Sequence, residues 1–131
     1  MFKRVNHIGL AVKDIDQATK LWTETFGVTA EPPVIEGNMK IVMLHVGDVL
    51  VELLGAIGDE GVMANFLKKR GEGIHHICFE VEDISAAMKE LAEGGIQLVD
   101  KEPREGAEGL IAFLHPKSTN GTLTEIVQVR D

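Results

Sequence analysis

The chain has 131 residues, enough for one compact domain or two small half-domains sharing a core. With 44% hydrophobic and 26% charged residues it reads as a soluble globular protein, and its net charge of −8 excludes a global basic footprint for nucleic acid. A single cysteine, Cys78, rules out an intrachain disulfide framework and suits a reducing cytoplasm. The opening MFKRVNHIGLAV is too short an apolar run for a signal peptide, and no segment approaches the roughly 20 apolar residues of a membrane span.

In chain order, residues 4–12 alternate as a strand, with Ile8, Leu10 and Val12 on one face and His7, Gly9 and Ala11 on the other. Asp14 or Asp16 can cap the helix that follows. That helix carries Ile15, Ala18, Leu21, Trp22 and Phe26 at three-and-four spacing and closes at Gly27. Strands are expected over residues 28–35, 39–46 and 49–54, the last two joined by a Gly47-Asp48 turn. A short helix over residues 61–70 links to a second set: a strand over 75–81, a helix over 85–94, and strands over 96–101, 110–114 and 123–129. The pieces 105–109 and 116–121 are loops by composition.

The second set copies the first. His7-Ile8-Gly9-Leu10-Ala11-Val12-Lys13-Asp14-Ile15 is echoed by His76-Ile77-Cys78-Phe79-Glu80-Val81-Glu82-Asp83-Ile84, 69 residues further on. Val51-Glu52-Leu53-Leu54 is echoed by Thr124-Glu125-Ile126-Val127. His7 and Glu52 are 45 residues apart, His76 and Glu125 49, a difference that one loop absorbs. The expected architecture is therefore α+β: two tandem βαβββ modules, at about 1–60 and 72–131, in one domain with a curved mixed sheet.

A carboxylate inside an apolar strand is costly unless it is paired or bound to a metal. Two such strands each carry one Glu, and two matching strands each carry one His. A lone His or Glu of this kind is more often structural. The repetition of the pair is what points to a site: two imidazoles and two carboxylates converging on one divalent ion such as cobalt, zinc, manganese or nickel.

Asn6-His7-Ile8-Gly9-Leu10-Ala11-Val12, Gly71-Glu72-Gly73-Ile74-His75-His76-Ile77 and Phe113-Leu114-His115-Pro116-Lys117-Ser118 with Gly121 carry a resemblance. The whole chain resembles the vicinal oxygen chelate superfamily, which includes glyoxalases, bleomycin resistance proteins and dioxygenases, and within it the methylmalonyl-CoA epimerase family. The first motif is general to the superfamily; the other two are more particular to the epimerases. The resemblance implies a glyoxalase-like fold and a metal held by His7, Glu52, His76 and Glu125, with His75 not a ligand.

It further implies proton removal and return at the carbon between the thioester and carboxylate of a coenzyme A thioester, with Glu125 as acid/base and ligand. Some relatives place a second Glu on the third strand of the first module. Here Lys40 lies at or beside that place and is the candidate second acid/base, while an exposed strand lysine is the plain alternative. Lys117 and Ser118 are candidate substrate contacts. A homodimer is expected, with no membrane or nucleic-acid partner. The rival readings are a glyoxalase I acting on a glutathione hemithioacetal and a non-catalytic binding member of the superfamily.

Overall fold

The computed structural model describes residues 1–131. Contacts divide the chain into two units, His7–His75 and the combination of Met1–Asn6 with His76–Asp131.

In the unit His7–His75, β1 (Arg4–Ala11) leads to α1 (Ile15–Lys20), whose first turn is capped where Gln17 N–H donates to Asp14 Oδ1 at 3.0 Å. A π turn over Leu21–Thr25 extends this helix, closed by Phe26 N–H donating to Leu21 O at 3.2 Å. The Thr19 and Thr23 hydroxyls donate to the carbonyls of Ile15 and Thr19, a competition that loosens the helical ladder. The widened turn breaks the 3.6-residue period expected through to Gly27. Ile15, Ala18 and Trp22 pack on the sheet, but Leu21 and Phe26 stay 45% and 55% exposed.

The expected strand over 28–35 is two pieces, β2 (Thr29–Ala30) and β3 (Val34–Glu36), because Pro32 and Pro33 between them have no N–H for a ladder. Both pair with β4 (Met39–Val46), which pairs antiparallel with β5 (Val49–Ala56), and β5 runs parallel to β1. Gly47, at φ +60°, takes the first central position of the β4–β5 turn, as a type II′ hairpin requires.

This sheet is covered on both faces. Val12, Val42, Leu44, Val51 and Leu53 pack beneath α1 and the π turn. Ala11, Ile41 and Leu54 pack against Met63, Phe66 and Leu67 of α2 (Val62–Arg70). Strand alternation therefore puts His7, with Ala11, and Glu52, with Leu54, on the α2 side.

In the other unit, β6 (Gly73–Glu80) runs parallel to β9 (Leu123–Val129), β9 pairs antiparallel with β8 (Gly109–Leu114), and β7 (Arg104–Glu105) edges β8. The helix α3 (Ile84–Glu93) is doubly capped: Ala86 N–H donates to Asp83 Oδ1 and Ile84 N–H to Gln128 Oε1. Its Ile84, Ala87 and Met88 pack with Ala112, Leu114 and Ile126. Each wholly buried branched side chain such as Ile126 contributes about 1.5–3 kcal/mol by leaving water. Gly109 is required by contact, since a Cβ there would lie 2.0 Å from Gln128 O.

The strand expected over 96–101 does not form. Leu98 makes a single bridge to Leu114, and the Asp100 carboxylate, not a backbone carbonyl, accepts from Phe113 N–H at 2.7 Å. Residues 1–6 are part of this unit: Lys3 N–H donates to Glu80 O at 2.8 Å, and Phe2 stacks on Phe79 at 4.5 Å. No helix of the chain is long and apolar enough to cross a membrane.

Candidate metal centre

Each unit builds one buried imidazole–carboxylate pair by the same rule. In the β1–β5 ladder Glu52 lies opposite Gly9, two residues past His7. His7 Nε2 is 3.5 Å from Glu52 Oε2, and the two residues are 5% and 8% exposed. In the β6–β9 ladder Glu125 lies opposite Cys78, two residues past His76. His76 Nε2 is 3.3 Å from Glu125 Oε1, and both residues are 6% exposed. Gly9 and Cys78 are small, so neither side chain crowds the space that the pair shares.

The donor chemistry fits a divalent ion. A charge-assisted N–H···O bond is shorter than these separations, at about 2.7–2.9 Å. Two ligand atoms each about 2.1 Å from one ion, at roughly 90° to 110°, lie about 3.0–3.4 Å apart, close to both observed spacings. Imidazole nitrogen with carboxylate oxygen is the mixed set that borderline divalent metals accept.

An apolar residue faces each carboxylate from the neighbouring strand: Met43 opposite Glu52 and Phe113 opposite Glu125. The main chain at both turns outward. Glu31 N–H donates to Met43 O, Val99 N–H donates to Phe113 O, and Phe113 N–H donates to Asp100. Both cross-strand pairs are therefore of the non-hydrogen-bonded kind, in which side chains approach most closely. The Phe113 ring also meets the His76 ring edge-on, with centroids 6.1 Å apart at 80°. In the sequence Phe113 stands out only as the start of the Phe113-Leu114-His115-Pro116-Lys117 motif, and nothing marks Met43. The β4–β5 and β8–β9 registers would have revealed both.

Lys40, the expected second acid/base, lies on the other side of its sheet from the Glu52 carboxylate. Strand parity groups it with Val42 and Leu44 on the α1 face of β4, opposite to the face of Glu52. There its Nζ lies 3.3 Å from Asp16 Oδ1. Met39 and Ile41, its neighbours in β4, are the residues on the α2 side. His75 likewise points away from the His76 face, with its ring 4.9 Å from that of Phe66.

Pro116–Ser118 form a short 3₁₀ turn, started by Lys117 N–H donating to His115 Nδ1 at 3.1 Å. Ser118 Oγ accepts from Gln97 N–H at 2.9 Å, which fixes the hydroxyl, and the Lys117 side chain is exposed.

Residues 6–113 match the glyoxalase/bleomycin resistance protein/dioxygenase superfamily, and the chain belongs to it. It is 39% identical to the ethylmalonyl-CoA/methylmalonyl-CoA epimerase of Cereibacter sphaeroides, over 98% of this chain and 100% of that protein. It is 38% identical to the mitochondrial methylmalonyl-CoA epimerase of Dictyostelium discoideum, over 94% of this chain and 76% of that one. Among solved structures it resembles Streptomyces coelicolor methylmalonyl-CoA epimerase in complex with 2-nitronate-propionyl-CoA, with a TM-score of 0.89, 30% identity and 100% of both chains covered.

Proposed function

We propose that this protein is an epimerase of methylmalonyl-CoA, removing the proton between thioester and carboxylate and returning it on the opposite face. The observation that carries the reading is the doubled, buried His–Glu pair in a chain similar along almost its whole length to methylmalonyl-CoA epimerases. That likeness favours the epimerase over a glyoxalase I or a binding member of the superfamily.

His7, Glu52, His76 and Glu125 would together hold one divalent ion. When bound, it would draw electron density from the thioester and carboxylate oxygens and so stabilise the enolate charge. Glu125 moves the proton: its carboxylate is buried, and proton transfer by a positioned carboxylate contributes about 10²–10⁴-fold. The second proton carrier is a group other than Lys40. Ser118, already fixed by its bond from Gln97 N–H, can turn its own proton to the substrate, and exposed Lys117 can meet the substrate's negative charge. The two modules act as one domain, the protein works as a homodimer, and the buried Cys78 thiol suits a reducing compartment such as the cytoplasm.

Deuterium uptake at the acidic carbon of methylmalonyl-CoA in heavy water tests this. Metal-loaded protein should exchange the proton quickly, and chelator-treated protein should not. Absence of exchange by the loaded protein would overturn the reading.

A further inference from the structure

Phe113 is held from three directions. Its N–H donates to Asp100 Oδ2 at 2.7 Å, and its carbonyl accepts from Val99 N–H at 2.8 Å. The other Asp100 oxygen accepts from Arg104 Nε at 3.1 Å, and the Arg104 guanidinium lies 5.4 Å from the Phe113 ring centroid. Asp100 thus fixes both the strand that carries the ring and the cation that covers it. The ring then stands edge-on to His76 and directly across the ladder from Glu125.

This arrangement has no counterpart at Met43, which holds the matching place opposite Glu52. Methionine is unbranched and adaptable with three rotatable side-chain bonds, whereas the Phe113 ring turns about two and is held under the Arg104 cation. The second pair therefore has a stiff wall and the first a compliant one.

We infer that Phe113, braced by Asp100 and Arg104, is a positioning residue that holds the His76 imidazole and the Glu125 carboxylate in ligand geometry. The inference rests on the proposed metal site. A rigid neighbour limits ring rotation of His76, so less freedom is lost when both donors engage an ion. Hydrogen-bonded partners that orient metal ligands without touching the metal typically alter affinity by about 10- to 100-fold, and the lower end of that range is the scale expected for a packed ring.

The test is cobalt(II) affinity, read by competition with a chromophoric chelator, together with the visible ligand-field spectrum. Variants are Phe113→Ala, Phe113→Leu and Arg104→Met, each checked for cooperative unfolding. Phe113→Ala should bind cobalt at least tenfold more weakly with an altered spectrum. Phe113→Leu should recover part of the affinity, and Arg104→Met should lose a few-fold. If Phe113→Ala does not fold, Phe113→Leu and Arg104→Met decide. Folded variants that bind cobalt as wild type, with the wild-type spectrum, overturn the positioning role while leaving the metal site standing. Wild-type protein that binds no cobalt overturns the metal site and this inference with it.

Discussion

Lys40 Nζ lies 3.3 Å from Asp16 Oδ1, on the α1 side of β4. A lysine so placed serves the packing of α1 on its sheet, and we expect it to take no part in proton transfer. Lys40→Met should leave deuterium exchange within about twofold of wild type. It should cost less than about 1 kcal/mol in urea unfolding, because Asp16 is largely solvated. A hundredfold loss of exchange in a fully folded Lys40→Met protein would restore lysine as the acid/base.

The two glutamates are expected to respond differently to loss of charge. Gln can still offer a carbonyl oxygen to a metal, so Glu52→Gln should retain metal binding and most of the exchange rate. Glu125→Gln should keep the fold but lose about 10²–10⁴-fold in exchange, because an amide cannot take the proton. Equal losses in the two variants would contradict the division of roles.

Metal should also stabilise the fold. An ion that binds only the folded chain adds about 2.7 kcal/mol when its free concentration is 100 times its dissociation constant. Thermal unfolding with and without cobalt should show that gain in wild type and not in a His7→Ala, His76→Ala double variant. The same rise in both proteins would place the bound ion elsewhere.

Gly109→Ala should be severe although the residue lies far in sequence from any His or Glu of the site. Its new Cβ would meet backbone, Gln128 O at 2.0 Å, so β8 and β9 must separate there. A cost of about 3 kcal/mol or more is expected, at the upper end of overpacking substitutions. Ile126→Ala, which removes a side chain with no exposure from the α3 core, should cost about 2–5 kcal/mol. Equilibrium denaturation measures both.

Much of the architecture is legible because strand alternation leaves a local record. Residues 4–12 show it, and the repeat of His7 and Glu52 at His76 and Glu125 marks both ladders. What alternation does not encode is a side chain acting as backbone. Asp100 takes a ladder position beside Phe113, so the stretch 96–101 has a strand-like composition without forming a strand. The π turn after Lys20 escaped for a related reason: the Thr19 and Thr23 hydroxyls compete for carbonyls that a periodicity count assigns to the helix ladder. The side of β4 on which Lys40 lies depends on a one-residue register, which only the pairing with β5 fixes.

Residues 1–6 complete the unit made by His76–Asp131, while the stretch between them forms its own. A cut at the linker near α2 would accordingly produce a C-terminal fragment without the Lys3–Glu80 bond and the Phe2–Phe79 stack, and an N-terminal one with an orphaned leading segment. A C-terminal half expressed alone should recover its full stability only when residues 1–6 are supplied, so the two ends of this chain are tied to each other within one folding unit.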